Sequence, residues 1–201
     1  GAWSEGGDQT YSCQQRVAAN MNISKATTIY LPWDEFDVDR ISYFDTYSSA
    51  QLDHGTLLGF EDGSLRNETT WTGTADIAGH KATHNLTIDK LTVSFRAFVR
   101  HSKLPYLRLT STVLGMAWTD KYTLTATVKK FAAQVEVRVI HGDECSLTFR
   151  IWNMETEVSM NPKMSLGKER QEKFEEKLKS RIQESLRRTI ETMYRKALWR
   201  P

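Results

Sequence analysis

Cysteine is scarce in this chain, with only Cys13 and Cys145 among 201 residues. That rules out a disulfide-dense scaffold and a cysteine-rich zinc site. Long apolar runs are absent too. No stretch approaches the roughly 20 residues that a membrane-spanning helix needs. The charge balance is nearly even, at +2, so nothing at the whole-chain level calls for nucleic acid. The sequence also lacks a nucleophile elbow, a phosphate loop, a dinucleotide fingerprint and an EF-hand loop. No cofactor and no metal are expected, and the chain is read as not an enzyme.

What is present is core-forming material: 39% of residues are hydrophobic and 10% aromatic. That is enough for one packed domain of this length. The even cysteine count suggests one bridge, Cys13 to Cys145, closing a loop of about 130 residues. Three N-x-[ST] sequons stand at Asn22, Asn67 and Asn85, which are acceptor sites for N-glycosylation. Together these features predict a secreted, extracellular glycoprotein with one disulfide bond.

The chain divides into an extended N-terminal arm, residues 1–54, and a β-rich body with a terminal helix, residues 55–201. A short helical turn is expected around Cys13–Asn22. In the arm, Asp34, Glu35, Asp37 and Asp39 alternate with Trp33, Phe36 and Val38. This reads as an extended segment that pins apolar side chains onto a larger body. Beyond residue 55 the hydrophobic period becomes two. Segments 91–100, 107–113, 122–128, 135–139 and 147–152 alternate apolar and polar residues, as half-buried antiparallel strands do. Turn-like breaks are expected at Asp62-Gly63, Gly79-His80, Ser102-Lys103, Thr119-Asp120 and His141–Asp143.

From Gly167 onward the pattern is helical, with Ser165 as the expected cap. Phe174, Leu178, Ile182, Leu186, Ile190, Tyr194 and Leu198 recur every fourth residue. Four residues advance an α-helix by about 400°, so the stripe turns by about 40° per step. A flat partner leaves such a stripe partly bare, whereas a twisted sheet can follow it. The predicted fold class is therefore α+β: a long, curled antiparallel meander wrapped around a long C-terminal α-helix. The helix is basic, with a surplus of Lys and Arg over Glu, and is expected to show a solvated face with pairs such as Glu169–Lys173 and Glu175–Lys179.

The five histidines offer little chemistry. His80 and His84 are four apart but have no third ligand beside them, and His54, His101 and His141 read as exposed loop residues. The apolar side chains of sheet and helix are more informative. Leu57, Phe60, Trp71, Leu91, Val93, Phe95, Val113, Met116, Phe174, Leu178, Ile182 and Leu186 are the candidate lining of an apolar space between sheet and helix.

An arm, a long meander and a gripped C-terminal helix resemble the wrap module of the tubular lipid-binding superfamily. Within it, the segments Phe60–Leu65, Trp71–Thr74, Asn85–Val93 and Leu114–Met116 resemble the pattern of arthropod group 7 mite allergens and their juvenile-hormone-binding and takeout relatives. The resemblance implies a secreted binder of lipids or other small hydrophobic ligands held between sheet and helix, with no catalytic residues. The alternative is a secreted interaction or effector protein, for example a salivary or surface protein, with a filled core and a protein partner.

Overall fold

The computed structural model describes residues 28–60, 74–76, 79–105, 115–139 and 145–199. Among them, seven strands form one antiparallel sheet, followed by a single long helix. The strands are β1 (Ile29–Leu31), β2 (Asp34–Val38), β3 (Tyr47–Leu58), β4 (Thr74–Asp76), β5 (Gly79–Ser102), β6 (Ala117–Val139) and β7 (Cys145–Asn161). The helix, α1, spans Lys168–Trp199. The sheet runs β1-β3-β5-β6-β7, with β2 beside β1 on the outer edge of β3 and β4 on β5.

Strand length explains the curl. β5 has 24 residues and β6 has 23. At about 3.3 Å per residue a straight strand of that length would run to roughly 80 Å. The 32-residue helix is about 48 Å long at 1.5 Å per residue. Strands so much longer than their packing partner must coil to keep one face covered.

The burial pattern shows where they bend. On β5 the buried set is Leu86 and Ile88, then Leu91, Val93, Phe95, Ala97 and Val99. The phase slips at the exposed pair Asp89–Lys90. On β6 the set is Leu124, Ala126 and Val128, then Phe131, Ala133, Val135 and Val137, slipping at exposed Lys129–Lys130. These two slips lie directly opposite one another, because Ile88 pairs with Phe131 and Lys90 with Lys129. Lys130 takes φ 53°, a left-handed conformation that kinks a strand without ending it. On β7, Trp152 and Asn153 are both exposed at the corresponding level, where the β6–β7 register shifts. One crease thus crosses three strands, turning the sheet while keeping its apolar face inward.

A second crease lies on the other margin. Leu31 pairs with Gly55 and Asp34 with Leu52, so β1 and β2 form one edge strand interrupted at Pro32–Trp33. The gap faces Asp53–His54, where β3 bulges against β5 and His54 takes φ 51°. Pro32 has no amide to give to a ladder, which suits it to this gap. Gly55 fills a tight place: a Cβ there would strike the Phe95 ring and come within 2.9 Å of Leu31 Cβ.

The helix lies across the mouth of the curled sheet and meets both of its margins. Phe174 stacks on Phe36 of β2 at 6.2 Å, and Tyr194 stacks on Phe149 of β7 at 6.1 Å. Phe174, Leu178, Ile182, Leu186, Ile190 and Tyr194 are all in the core. Glu172, Glu176, Arg188 and Thr192 on the opposite side are exposed. The fold class is thus α+β, a curled antiparallel sheet around a C-terminal helix, with one face of the helix buried and the other exposed.

Several local expectations shift. The boundary at 54–55 falls inside β3, so the arm from residue 29 onward is part of the sheet. Segments 122–128 and 135–139 are one strand, β6, and Thr119–Asp120 lies within it. The segment 107–113 and the expected breaks at Asp62-Gly63 and His141–Asp143 lie outside the described residues, as do Cys13–Asn22. The helix is capped by Gly167, at φ 86°, whose carbonyl accepts the Gln171 amide at 2.9 Å; Ser165 lies two residues upstream. Among the described residues the ion pairs within the helix gather in its second half, where Glu184 meets Arg187 at 2.7 Å and Arg188 at 2.9 Å, and Glu191 meets Arg187 and Arg195. Cys145 is disulfide-bonded; Cys13, the other cysteine of the sequence, lies outside the described residues.

Candidate functional site

Nine of the twelve candidate lining residues converge on one core. Leu57, Phe60, Leu91, Val93, Phe95, Phe174, Leu178, Ile182 and Leu186 are each at most 3% exposed. These side chains belong to one contiguous hydrophobic cluster withdrawn from solvent. Met116 is half-buried at the start of the β6 approach, where its carbonyl accepts the Lys103 amide at 2.9 Å. Trp71 and Val113 lie outside the described residues. Of the sequon asparagines, Asn85 stands exposed on β5, while Asn22 and Asn67 lie outside the described residues.

Two surface hollows are bordered by other residues. One, of about 430 Å³, lies between β7 and α1 against Ile151, Met154, Arg181, Gln183 and Arg187. The other, of about 210 Å³, lies at the β2–β3 end against Asp37, Asp39, Arg40, Tyr47 and Ser48.

The acidic arm has a clear electrostatic counterpart. Asp34 receives a forked pair of hydrogen bonds from Arg181, at 2.9 and 2.5 Å. Lys177 reaches the Asp37 carbonyl at 2.6 Å and the Asp39 carboxylate at 3.2 Å. On the other margin Gln183 donates to Thr156 of β7 at 3.1 Å. The basic surplus of the helix and the acidic arm are therefore two halves of one fastening.

Beneath the start of α1 lies a polar cluster that the sequence does not announce. His101, expected on an exposed loop, is 7% exposed on β5. It pairs across the sheet with Ser48, whose hydroxyl lies 2.6 Å from Nδ1. Its Nε2 is 3.4 Å from the Asp120 carboxylate, and its ring stacks on Trp118 at 5.2 Å. Thr46 Oγ1 sits 2.9 Å from Ser48 Oγ and accepts from Arg170 at 3.2 Å. Burial holds the imidazole below its ordinary pKa, with Asp120 opposing and Arg170 adding to the fall.

The order serine, histidine, aspartate is that of a nucleophile, a base and its orienting carboxylate. The environment works against that chemistry. The serine is buried beside Thr46, and burial, with a smaller push from Arg170, disfavours the imidazolium that a general base must become, against the pull of Asp120. The arrangement acts as a buttress for the helix start. Arg170, 6% exposed, donates to the Asp39 carbonyl at 3.0 Å and the Thr46 carbonyl at 2.8 Å. It thereby ties α1 to the β2–β3 turn.

That turn carries the most exposed aromatic rings among the described residues. Tyr43 is 87% and Phe44 91% exposed, and the two rings meet edge to face at 5.8 Å. Much of the backbone below them is locally hydrogen-bonded. Asp45 accepts the Ile41 and Ser42 amides at 2.8 and 2.9 Å, and these bonds hold its carboxyl below the ordinary range. The Phe44 amide donates to Ser42 Oγ, and the Asp45 amide to the Ser42 carbonyl. Arg40 donates to the carbonyls of Tyr43 and Asp45 while its guanidinium lies 4.0 Å over the Tyr47 ring.

No protein-family model and no curated protein matches the chain. No helix among the described residues is long and apolar enough to cross a membrane.

Proposed function

We propose that the protein is an extracellular, non-catalytic binding protein that meets its partners at its outer surface. The observation that carries this reading is the closed packing of nine candidate lining residues, each at most 3% exposed. A cargo carrier needs apolar walls that face a space, whereas these nine side chains are drawn into one hydrophobic cluster. Exposed Tyr30, Trp33, Tyr43 and Phe44 supply instead the aromatic surface on which binding proteins concentrate their contacts.

A second reading places a lipid or other small hydrophobic ligand between sheet and helix. It draws on the likeness of a meander plus terminal helix to the tubular lipid-binding wrap. It requires α1 to part from a sheet margin at Arg181–Asp34 or at Gln183–Thr156. Native mass spectrometry of the purified chain separates the two. The surface-binding reading expects the bare mass with its glycans. A stoichiometric apolar adduct that is released on denaturation would overturn it in favour of the enclosed ligand.

A further inference from the structure

We propose that the β2–β3 turn is a membrane-contact tip, and that Ile41, Tyr43 and Phe44 enter the headgroup zone of a lipid bilayer. This deepens the surface-binding reading and rests on it.

Three observations favour a bilayer over a protein pocket as the occupant. The first is shape. Tyr43 and Phe44 project almost wholly from the body, so the apolar surface is a convex tip with no groove of its own. The second is backbone satisfaction. The amides of Ile41, Ser42, Phe44 and Asp45, and the carbonyls of Ser42, Tyr43 and Asp45, all have partners within residues 40–45. A protein partner can supply hydrogen bonds to a docked loop. Lipid tails cannot, so a turn that bonds most of its own polar groups and leaves the Tyr43 amide and the Ile41 and Phe44 carbonyls to the hydrated headgroup layer suits a shallow position at that boundary. Tyrosine suits the boundary because its ring is apolar and its hydroxyl remains in the wet layer.

The third observation is the neighbouring connection. β3 begins at Tyr47, which pairs with Ser102 at the end of β5. The residues that follow, Lys103 and Leu104, are both exposed at this same end. Leu104 is likewise held by local bonds: its amide donates to Ser102 Oγ at 3.2 Å, and that hydroxyl donates to its carbonyl at 2.6 Å. An apolar leucine beside a free-standing lysine extends the tip and adds attraction for anionic headgroups. The buttress of Arg170 on the Thr46 and Asp39 carbonyls fixes the tip to the helix, so insertion does not require the turn to be ordered first.

The test is flotation of the full-length chain with vesicles of phosphatidylcholine alone and of phosphatidylcholine mixed with phosphatidylserine. Three proteins are compared: the wild type, Tyr43→Ser/Phe44→Ser and Lys103→Gln. The two rings touch each other and not the core, so the double variant should keep the wild-type melting temperature. The expected result is vesicle binding by the wild type and a loss of at least about tenfold in partition for the double variant. Lys103→Gln should weaken binding only where phosphatidylserine is present. Failure of the wild type to float with either vesicle overturns the proposal and leaves the tip to a protein pocket. Equal partition of the wild type and the double variant overturns it as well. A lipid adduct in the native mass spectrum would sink the surface-binding reading, whereas a loss confined to the ring variant would still locate bilayer contact at the tip.

Discussion

Replacing Arg170 tests the connection between helix and tip most directly. Its guanidinium donates to the Asp39 carbonyl at 3.0 Å, the Thr46 carbonyl at 2.8 Å and Thr46 Oγ1 at 3.2 Å. Hydrogen bonds from a charged donor are worth about 1.5–3 kcal/mol each. Two offsets reduce the sum. Burial already penalises the charge, which is the main cause lowering the Arg170 pKa, and the turn carbonyls can regain water once it is gone. The expected net loss for Arg170→Met is therefore about 2–4 kcal/mol. Arg170→Lys should recover less than half of it, because an ammonium cannot span the two carbonyls as the planar fork does. Urea unfolding followed by far-UV circular dichroism measures the loss by linear extrapolation. Tryptophan fluorescence adds a local reporter, since Trp118 stacks on His101 in the same cluster. A loss below about 1 kcal/mol, or full rescue by lysine, would refute the claim that this guanidinium clamps α1 to the turn.

Three further outcomes are expected. His101 is held below its ordinary pKa, so the unfolded chain takes up its proton first as pH falls. Its share of stability is intact above about pH 6.5 and declines below that, with a limiting slope of about 1.4 kcal/mol per pH unit. Urea titrations between about pH 8 and about pH 5 should show a smaller pH dependence for His101→Gln than for the wild type, and parallel curves would refute the assignment. Leu186→Ala removes a fully buried side chain from the middle of the helix stripe and should cost about 2–5 kcal/mol, read from the same denaturation; an effect of a few tenths would mean that the sheet does not grip the helix there. Gly55→Ala drives a methyl into Phe95 and Leu31 and should destabilise by about 1–3 kcal/mol, with Phe95→Leu on the same background restoring part of the loss.

The architecture was legible because it rests on periodicity. A fourfold apolar spacing from Phe174 to Tyr194 and twofold alternation before it suffice to place a curled sheet against a terminal helix. The length of the strands was harder to see. Alternation breaks at Lys129–Lys130, and a break in alternation reads as the end of a strand. Here it marks a crease that β6 passes through, matched by Asp89–Lys90 on β5. Such a crease becomes visible only when the paired strands are aligned. The arm is extended and buries Phe36 and Val38 as expected, but its place in the sheet is hidden for a related reason: Pro32 interrupts the ladder, yet the residues on either side keep one register against β3.

The polar cluster was not legible, and the reason is geometric. Ser48 and His101 are separated by 53 residues and meet because β3 and β5 pair them. Asp120 arrives from β6 through the next ladder, where it pairs with Val99. A one-residue slip in either ladder would turn the side chains to the opposite face and dissolve the cluster. The same dependence bears on the tip. The Asp45 side chain that organises residues 41–45 belongs to a local turn and needs no register, whereas the Arg170 clamp beneath it needs the whole sheet to be built. Tip geometry should therefore survive local perturbation of the helix, while its attachment to the body should not. Arg170→Met separates the two: if rings on an intact but loosened turn still carry the chain to vesicles, contact is made by the turn itself, and if binding falls with the clamp, the fixed placement of the turn on α1 is part of the contact.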